Sequence, residues 1–284
     1  MHFHRFDTPS KNVKLDGIPH DPPHDWKKQE AKEKFAKLND ELFELQDLMW
    51  GAKTHSVLMV LQGRDAAGKD GSVKHVVGAL NPRGVRVTSF GVPTEEERQH
   101  DFLWRVHKKA PQAGGIGIFN RSHYEDVLVV RVRNLARPMV WRDRYDQINS
   151  FERTLTQANT IVLKYFLHIS KEEQERRLLA REKDPADAWK LNVEDWKDRE
   201  LWDSYTRAYE DVVGKCASPQ APWIVVPANA KWFRNLVIAR SLLEALRPYK
   251  KIWEKRLTEE GKIGRRDLQE WRASEQASAT TRPR

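Results

Sequence analysis

Gly63, Gly68 and Lys69 fall at the spacing Gly-x-x-x-x-Gly-Lys within the stretch Gly63-Arg64-Asp65-Ala66-Ala67-Gly68-Lys69-Asp70-Gly71. Residues of these types at this spacing can cradle phosphate. Glycines at both ends let the backbone curl until successive N–H groups converge on an anion, and a following helix adds the positive end of its dipole. Lys69 then offers a mobile cation to the terminal phosphates. In the common form of such a loop a Ser or Thr follows the lysine and ligates magnesium, but here Asp70 stands there, and a second acid, Asp65, lies inside the loop. Carboxylates this close to a phosphate repel it unless a hard cation bridges them, so the pattern implies Mg2+, with Mn2+ as the alternative and Asp65 as the metal ligand. The competing reading is an ordinary glycine-rich turn. The apolar run at 57–61 before it and the amphipathic stretch after it (Val73, Val76, Val77, Leu80) favour the phosphate loop.

A second cluster follows a short apolar run at 116–119: Asn120-Arg121-Ser122-His123-Tyr124-Glu125-Asp126. In open α/β sheets ligands bind outside the carboxyl ends of the strands, so this segment and the phosphate loop should share an edge. Asn120 occupies the point where phosphate-loop enzymes normally place a metal-binding acid, so the cation's charge must come from Asp65, helped by Glu125. Arg121 can grip two phosphoryl oxygens with a planar fork that keeps its proton; the alternative is a structural ion pair with Glu125 or Asp126. Arg177 and Arg181 share one helical face, with Arg176 beside them, and suit either a lid over phosphates or a solvated basic face. Lys74, Arg83, Lys108, Lys109, Arg131 and Arg133 could line a path for a long anion. His123 and His168 read as hydrogen-bonded structural residues. Four early histidines (His2, His4, His20, His24) lack Cys or Glu at ligand spacing, which argues against a metal site.

These groups need rigid elements to position them. Apolar residues Phe35, Leu38, Leu42, Leu45 and Met49 recur at helical spacing over 26–49. Strands are expected at 57–61, 85–90, 116–119, 160–168 and 223–226. Helices are expected after the phosphate loop and at 94–107, 122–132, 138–158, 196–213 and 232–246, with one opened by a Ser170–Glu173 capping box and stopped at Asp184-Pro185. Asp101 and Arg105 are spaced as an exposed i, i+4 pair. Alternating strands and helices predict a three-layer α/β/α sandwich with a parallel sheet, kinase-like around its P-loop, and a helical lid at about 170–213. Residues 1–29 read as an N-terminal arm, laid over the body or disordered. Residues 30–249 read as the catalytic domain, and 250–284 as a charged helical extension fraying into a tail.

Composition sets limits on partners. The 284 residues carry 50 Lys and Arg against 41 Asp and Glu, a formal charge of +9, which favours a polyanionic partner. A single cysteine, Cys216, precludes an internal disulfide and fits a reducing compartment. With no long apolar segment and no signal pattern, the expectation is a cytoplasmic protein with no membrane partner. The eleven tryptophans are scattered rather than interleaved with a basic stripe, so nucleic acid is not the expected partner.

With these segments in view, the chain resembles the polyphosphate kinase 2 family over about residues 30–248. The resemblance rests on the 63–71 loop, on 84–94 (Gly-Val-Arg-Val-Thr-Ser-Phe-Gly-Val-Pro-Thr), on 100–107 (His-Asp-Phe-Leu-Trp-Arg-Val-His), on 119–128, on 166–170 (Phe-Leu-His-Ile-Ser) and on 221–229 (Ala-Pro-Trp-Ile-Val-Val-Pro-Ala-Asn). The Asn-Arg-Ser-His-Tyr-Glu-Asp form is similar to the subgroup called class III. The resemblance implies Mg-dependent transfer of the terminal phosphate of inorganic polyphosphate to a nucleoside mono- or diphosphate, AMP becoming ADP and then ATP, with GMP and GDP as further acceptors. It implies that Asp65 serves as metal and acceptor-phosphate carboxylate and Lys69 as phosphate clamp. It implies further that Asn120 and Arg121 sit at the Walker B end, that Arg181 is a lid arginine, and that the enzyme is a dimer or tetramer. Two other readings stand beside it: a conventional kinase using ATP as donor, and a polyanion- or nucleic-acid-binding protein.

Overall fold

All eight residues of Ser56–Gly63 are buried, and the run alternates sides: Val57, Met59 and Leu61 enter one hydrophobic cluster, Leu58 and Val60 the other. A strand apolar on both faces needs a covering layer on each side, which is the requirement of a parallel sheet between helices. The computed structural model describes residues 4–280; the expectation for His2 and for the end of the tail lies outside them. In chain order the elements are β1 (His4–Phe6), α1 (Lys28–Ala52), β2 (Ser56–Gly63), α2 (Lys69–Val76), β3 (Val85–Ser89), α3 (Glu95–Arg98), α4 (Trp104–His107) and β4 (Ile116–Asn120). There follow α5 (Val129–Val132), α6 (Pro138–Gln157), β5 (Thr160–His168), α7 (Lys171–Lys183), α8 (Val193–Glu200), α9 (Trp202–Lys215), β6 (Trp223–Pro227), α10 (Lys231–Leu246) and α11 (Lys250–Thr280).

The sheet order is β1-β6-β5-β2-β4-β3. β3, β4, β2, β5 and β6 are parallel, and β1 joins β6 antiparallel at the edge. The α/β sandwich expected from the sequence is therefore present, with one antiparallel strand added. That strand belongs to the N-terminal arm, which is laid over the body: Leu15 is fully buried, and its N–H donates to Glu210 Oε1 at 3.1 Å. One core layer packs α1, α2, α10 and the start of α11 on the sheet through Met49, Leu242 and Trp253. The other packs the arm, α6 and α9 through Phe119, Phe151, Tyr209 and Trp223. Among the described residues no helix is long and apolar enough to cross a membrane.

Three local expectations are corrected. The helix expected at 94–107 is two short helices, because the Asp101 carboxylate accepts the Leu103 N–H at 2.9 Å and starts the chain afresh. Arg105 is buried rather than paired with Asp101; it donates to Gly91 O at 2.9 Å and to Glu97 at 3.3 Å. The helix expected at 122–132 is a 3-10 turn at His123–Asp126 followed by the four-residue α5.

Lys164 lies in the middle of β5 and is 0 % exposed. Its ammonium donates to Glu152 Oε2 of α6 at 2.5 Å, to Cys216 O at 2.5 Å and to the Tyr124 hydroxyl at 3.2 Å. Tyr124 in turn donates to Glu152 Oε1 at 2.7 Å, and His123 Nε2 stands 3.3 Å from the same oxygen. Burial alone would raise the Glu152 carboxyl, but Lys164 and then His123 hold it below the usual range. This charged cluster ties α6, β5 and the 120–126 segment together beneath the site. Removing one partner of a buried pair strands the other charge. Lys164→Met is therefore expected to cost about 3–5 kcal/mol in urea unfolding, whereas Lys164→Met with Glu152→Leu costs markedly less. Equal losses in the two variants would refute the pairing as the source of the cost.

Candidate active site

The phosphate loop leaves β2 between β4 and β5, where successive connections depart to opposite sides of the sheet. Such a switch point opens a crevice at the strand ends. Gly63 closes β2 where a Cβ would stand 3.0 Å from Leu167 O of β5 and 3.1 Å from the Ala67 side chain. Ala66 turns with φ 60°, and Gly68 turns into α2 with φ 100°. A Cβ on Gly68 would come within 1.9 Å of Arg234 Nη1, so glycine is required by both space and backbone,. Lys69 folds over the loop and donates to Gly63 O at 2.7 Å and Arg64 O at 3.2 Å. Burial, and then the neighbouring Arg121 guanidinium, draw the Lys69 ammonium below its ordinary pKa, with Asp65, Glu125 and Asp70 offsetting part of this.

β4 delivers the second cluster to the same edge. Arg121 stands at φ 61°, a left-handed conformation costly for a side chain with a Cβ, while its N–H donates to Leu61 O at 3.1 Å. The sharp turn brings its guanidinium to Asp65 Oδ1 at 2.6 Å, with Glu125 at 3.8 Å. Burial opposes its charge, yet Asp65 and then Glu125 hold its pKa above the ordinary arginine value. Glu125 is pushed up by burial, with Arg121 and Lys69 pulling the other way. Asn120 Nδ2 donates to Asp70 Oδ1 at 2.6 Å, so Asp70 is held by the amide that replaces the expected acid. Both sequence clusters thus meet. Asp65, Lys69, Asp70, Asn120 and Arg121 line one cavity of about 1290 Å³, together with Ala66, Gly68 and Gly71.

Arg64, Ala67 and Glu125 stand behind this lining. Arg64 is buried, packs its guanidinium 3.7 Å above the Trp202 ring, and donates to Trp202 O at 3.0 Å and Thr206 Oγ1 at 2.5 Å. Burial draws its pKa down to about 10. It fastens the loop to α9 instead of facing the cavity. α7 and α8 overhang the loop. Gln174 Nε2 donates to Asp65 O at 3.1 Å, and Arg181 pairs with Asp195 of α8 at 2.9 Å. Burial, then the Asp65 charge, raises the Asp195 carboxyl.

Arg177 lines the cavity, but its guanidinium is already occupied. It donates to the carbonyls of Ala66 and Ala67 at 2.9 and 3.0 Å and of Ala228 and Asn229 at 2.6 and 2.8 Å. It is a clamp binding the loop to the end of β6. Its partner Glu173 forgoes the second half of the expected capping box: Ser170 Oγ accepts the Glu173 N–H, but the carboxylate turns to Arg176 and Arg177.

The residues suggested for an anion path stand outside this cavity. Lys74, Arg83, Lys108, Arg131 and Arg133 are absent from the cavity wall, as is Lys109. Arg131 is neutralised by Asp211 at 2.6 Å, and Arg133 by Glu194 at 2.6 Å and Asp198 at 2.8 Å. Arg234 was the residue sequence reading overlooked. It is buried against Gly68 and Gly71, donates to Asn235 Oδ1 and Ala67 O, and has no carboxylate partner among the described residues. Burial and Arg177 draw its pKa to about 10. The available signal was an arginine on the apolar face of an otherwise core-facing helix. His123 and His168 are both buried; the His168 ring lies 4.0 Å from that of His20, tilted by 31°.

A phosphate loop at a parallel-sheet switch point, faced by a lysine and an arginine and overhung by helices, defines a P-loop phosphotransferase of the kinase-like α/β/α type. The polyphosphate kinase 2 model matches residues 25–254. The chain is 51% identical over 219 residues to the AMP/ADP-polyphosphate phosphotransferase of Meiothermus ruber, covering 77% of this chain and 82% of that one. It is 39% identical over 238 residues to the ADP-polyphosphate phosphotransferase of Rhodopseudomonas palustris, covering 78% and 82%. The crystal structure of polyphosphate kinase 2 from Arthrobacter aurescens TC1 superposes with a TM-score of 0.81 at 40% identity, covering 87% of this chain and 90% of that chain. This protein belongs to the polyphosphate kinase 2 family.

The geometry of the loop makes Gly68 a sharp test. Gly68→Ala is expected to destabilise the fold by more than about 1 kcal/mol, because the added Cβ meets both an unfavourable φ and Arg234. Phosphotransfer should be lost together with stability. A fully active, fully stable Gly68→Ala protein would refute the packing described here.

Proposed function

We propose that this protein transfers the terminal phosphate of inorganic polyphosphate to AMP and ADP, giving ADP and ATP, with GMP and GDP as further acceptors. The observation that carries this reading is the convergence of Lys69, Arg121 and Asp65 on one cavity. Donor and acceptor are both anions, so bringing their reacting oxygens together requires fixed positive charge at the meeting point. Lys69 is placed for the donor phosphate held by the loop amides. Arg121 is placed to receive the phosphoryl group in transit, with Asp65 aligning its fork. A loose, charge-dispersed transition state needs preorganised cations rather than a strong base.

The donor set suits a hard divalent cation. Among the described residues no three His, Cys, Asp or Glu side chains stand together as a protein cage, and magnesium is commonly held by one or two carboxylates with water and substrate phosphates completing its shell. Asp65 would supply that carboxylate and Asn120 at most a neutral contact; Mn2+ would suit the same oxygens. When bound, the ion neutralises phosphate charge. We further assign residues 30–249 as the catalytic unit, 170–213 as its lid with Arg181 as the lid arginine, and the working form as a cytoplasmic homo-oligomer, dimer or tetramer. Neither nucleic acid nor membrane enters this reading.

Incubating the protein with AMP, polyphosphate and Mg2+, without ATP, should yield ADP and then ATP by chromatography. Phosphorylation of AMP only when ATP is supplied would instead establish a conventional nucleotide kinase. Lys69→Ala and Arg121→Ala are each expected to lower kcat by about 10²–10³ while leaving thermal unfolding unchanged, as removal of a transition-state donor does. Asp65→Asn should lower the rate and raise the Mg2+ concentration needed for half-maximal activity; unaltered Mg2+ dependence would overturn the assignment of Asp65.

A further inference from the structure

The cavity continues past the phosphate loop to a wall made by α1 and the start of α10. On α1, Lys28, Ala31, Lys32 and Phe35 all line it, and their i, i+3, i+4, i+7 spacing puts them on one helical face. On α10, Lys231 and Trp232 line the same wall, with the buried Arg234. Ala31 is buried, and Phe35 and Trp232 are partly buried against the core, so the floor is apolar and the charges stand above it. Lys28, Lys32 and Lys231 form no ion pair among the described residues. By contrast, Lys34 on the same α1 helix is paired with Glu30 at 2.6 Å. The acids that line the cavity belong to the phosphate loop, the start of α2 and the lid; none comes from α1 or α10. Lys231 feels burial and then three arginines, Arg177, Arg234 and Arg176, disfavouring its charge, and Glu173 offsets only part of this. Like charges gathered without an ion-pair partner repel one another, and an anion bound among them would relieve that repulsion. A single phosphate in the loop does not supply it, because the lysines of α1 belong to a different wall. The volume of about 1290 Å³ also exceeds the roughly 300–1,000 Å³ typical of small-molecule pockets.

We propose that the α1 face of Lys28 and Lys32, together with Lys231 of α10, is a subsite for the non-reacting tail of a linear polyphosphate donor, so that this wall sets the preference for chain length. The inference rests on the polyphosphate-donor reading above. The tail leaves the loop on the side away from Asp65, along the wall free of acids, and each phosphate unit reaching α1 adds a contact with a cation. Short donors end before it.

The test uses the full chain carrying Lys28→Glu with Lys32→Glu; both side chains are exposed, so the fold is not at stake. Lys251→Glu with Lys262→Glu, on α11, makes the same change in net charge and serves as control. KM for long-chain polyphosphate is expected to rise about ten-fold or more in the α1 variant, as loss of contacts to a polyanion predicts. KM for tripolyphosphate should move less than about two-fold, and the control should match the parent on both donors, since screening confines such effects to nearby charges. Equal losses on long and short donors, no loss on either, or the same loss in the control would overturn the proposal. Equilibrium binding of long-chain polyphosphate separates this idea from the kinase reading. Weakened binding by the α1 variant, with no turnover of polyphosphate by the parent, would sink the kinase reading and support the subsite. Turnover by the parent with undiminished binding by the variant would do the reverse.

Discussion

The structure depends on one electrostatic constraint: positive charge must be concentrated at the N-terminus of α2, where the helix dipole is itself positive. Cations there repel one another and the dipole, so each has to be held by something else. Arg177 is held by four backbone carbonyls, Arg121 by Asp65, and Lys69 by the carbonyls of its own loop. Arg234 has only amide and carbonyl oxygens. Carbonyl and amide oxygens anchor a cation without cancelling its charge, which leaves the field of Lys69 and Arg234 available to a phosphate.

Rigidity comes from below. The loop is pinned from three directions, by Arg64 to α9, by Gln174 to α7 and by Arg177 to the end of β6. The segment bearing Arg121 rests on the buried Lys164–Glu152–Tyr124 cluster. A strained left-handed residue such as Arg121 persists only where its surroundings over-determine it, and both the Leu61 carbonyl and Asp65 do so here.

The overhanging helices show how charge pairing divides the arginines into two kinds. Arg131 and Arg133 are consumed by carboxylates on α8 and α9, and they tie those helices to the body. Arg181 of α7 is paired instead with Asp195 of α8, so that pair joins the two overhanging helices to each other. Among the described residues, Lys28 and Lys32 of α1 and Lys231 of α10 form no ion pair, and these elements, far apart in sequence, are brought by the fold to one wall.

What the sequence by itself determined was local. The Gly-x-x-x-x-Gly-Lys spacing, the strand before it and the alternation of strand and helix carry their meaning within a few dozen residues, because glycine conformation, apolar periodicity and helix polarity act over that range. Asp65, Lys69, Asn120 and Arg121 could be chosen from such signals and are brought into one cavity. That Arg105 reaches Gly91 and not Asp101, that Arg131 and Arg133 reach carboxylates of α9 and α8, and that Arg177 reaches the loop carbonyls was not legible, since spacing alone does not reveal which carboxylate or carbonyl a long side chain will reach. Only the tertiary structure decided that Arg64 faces α9, that Lys164 is buried on Glu152, and that Lys28, Lys32 and Lys231 share a wall with the buried Arg234. Each of those facts is a meeting of residues distant in the chain, and an ion pair or an unpaired charge is defined by what lies across the gap.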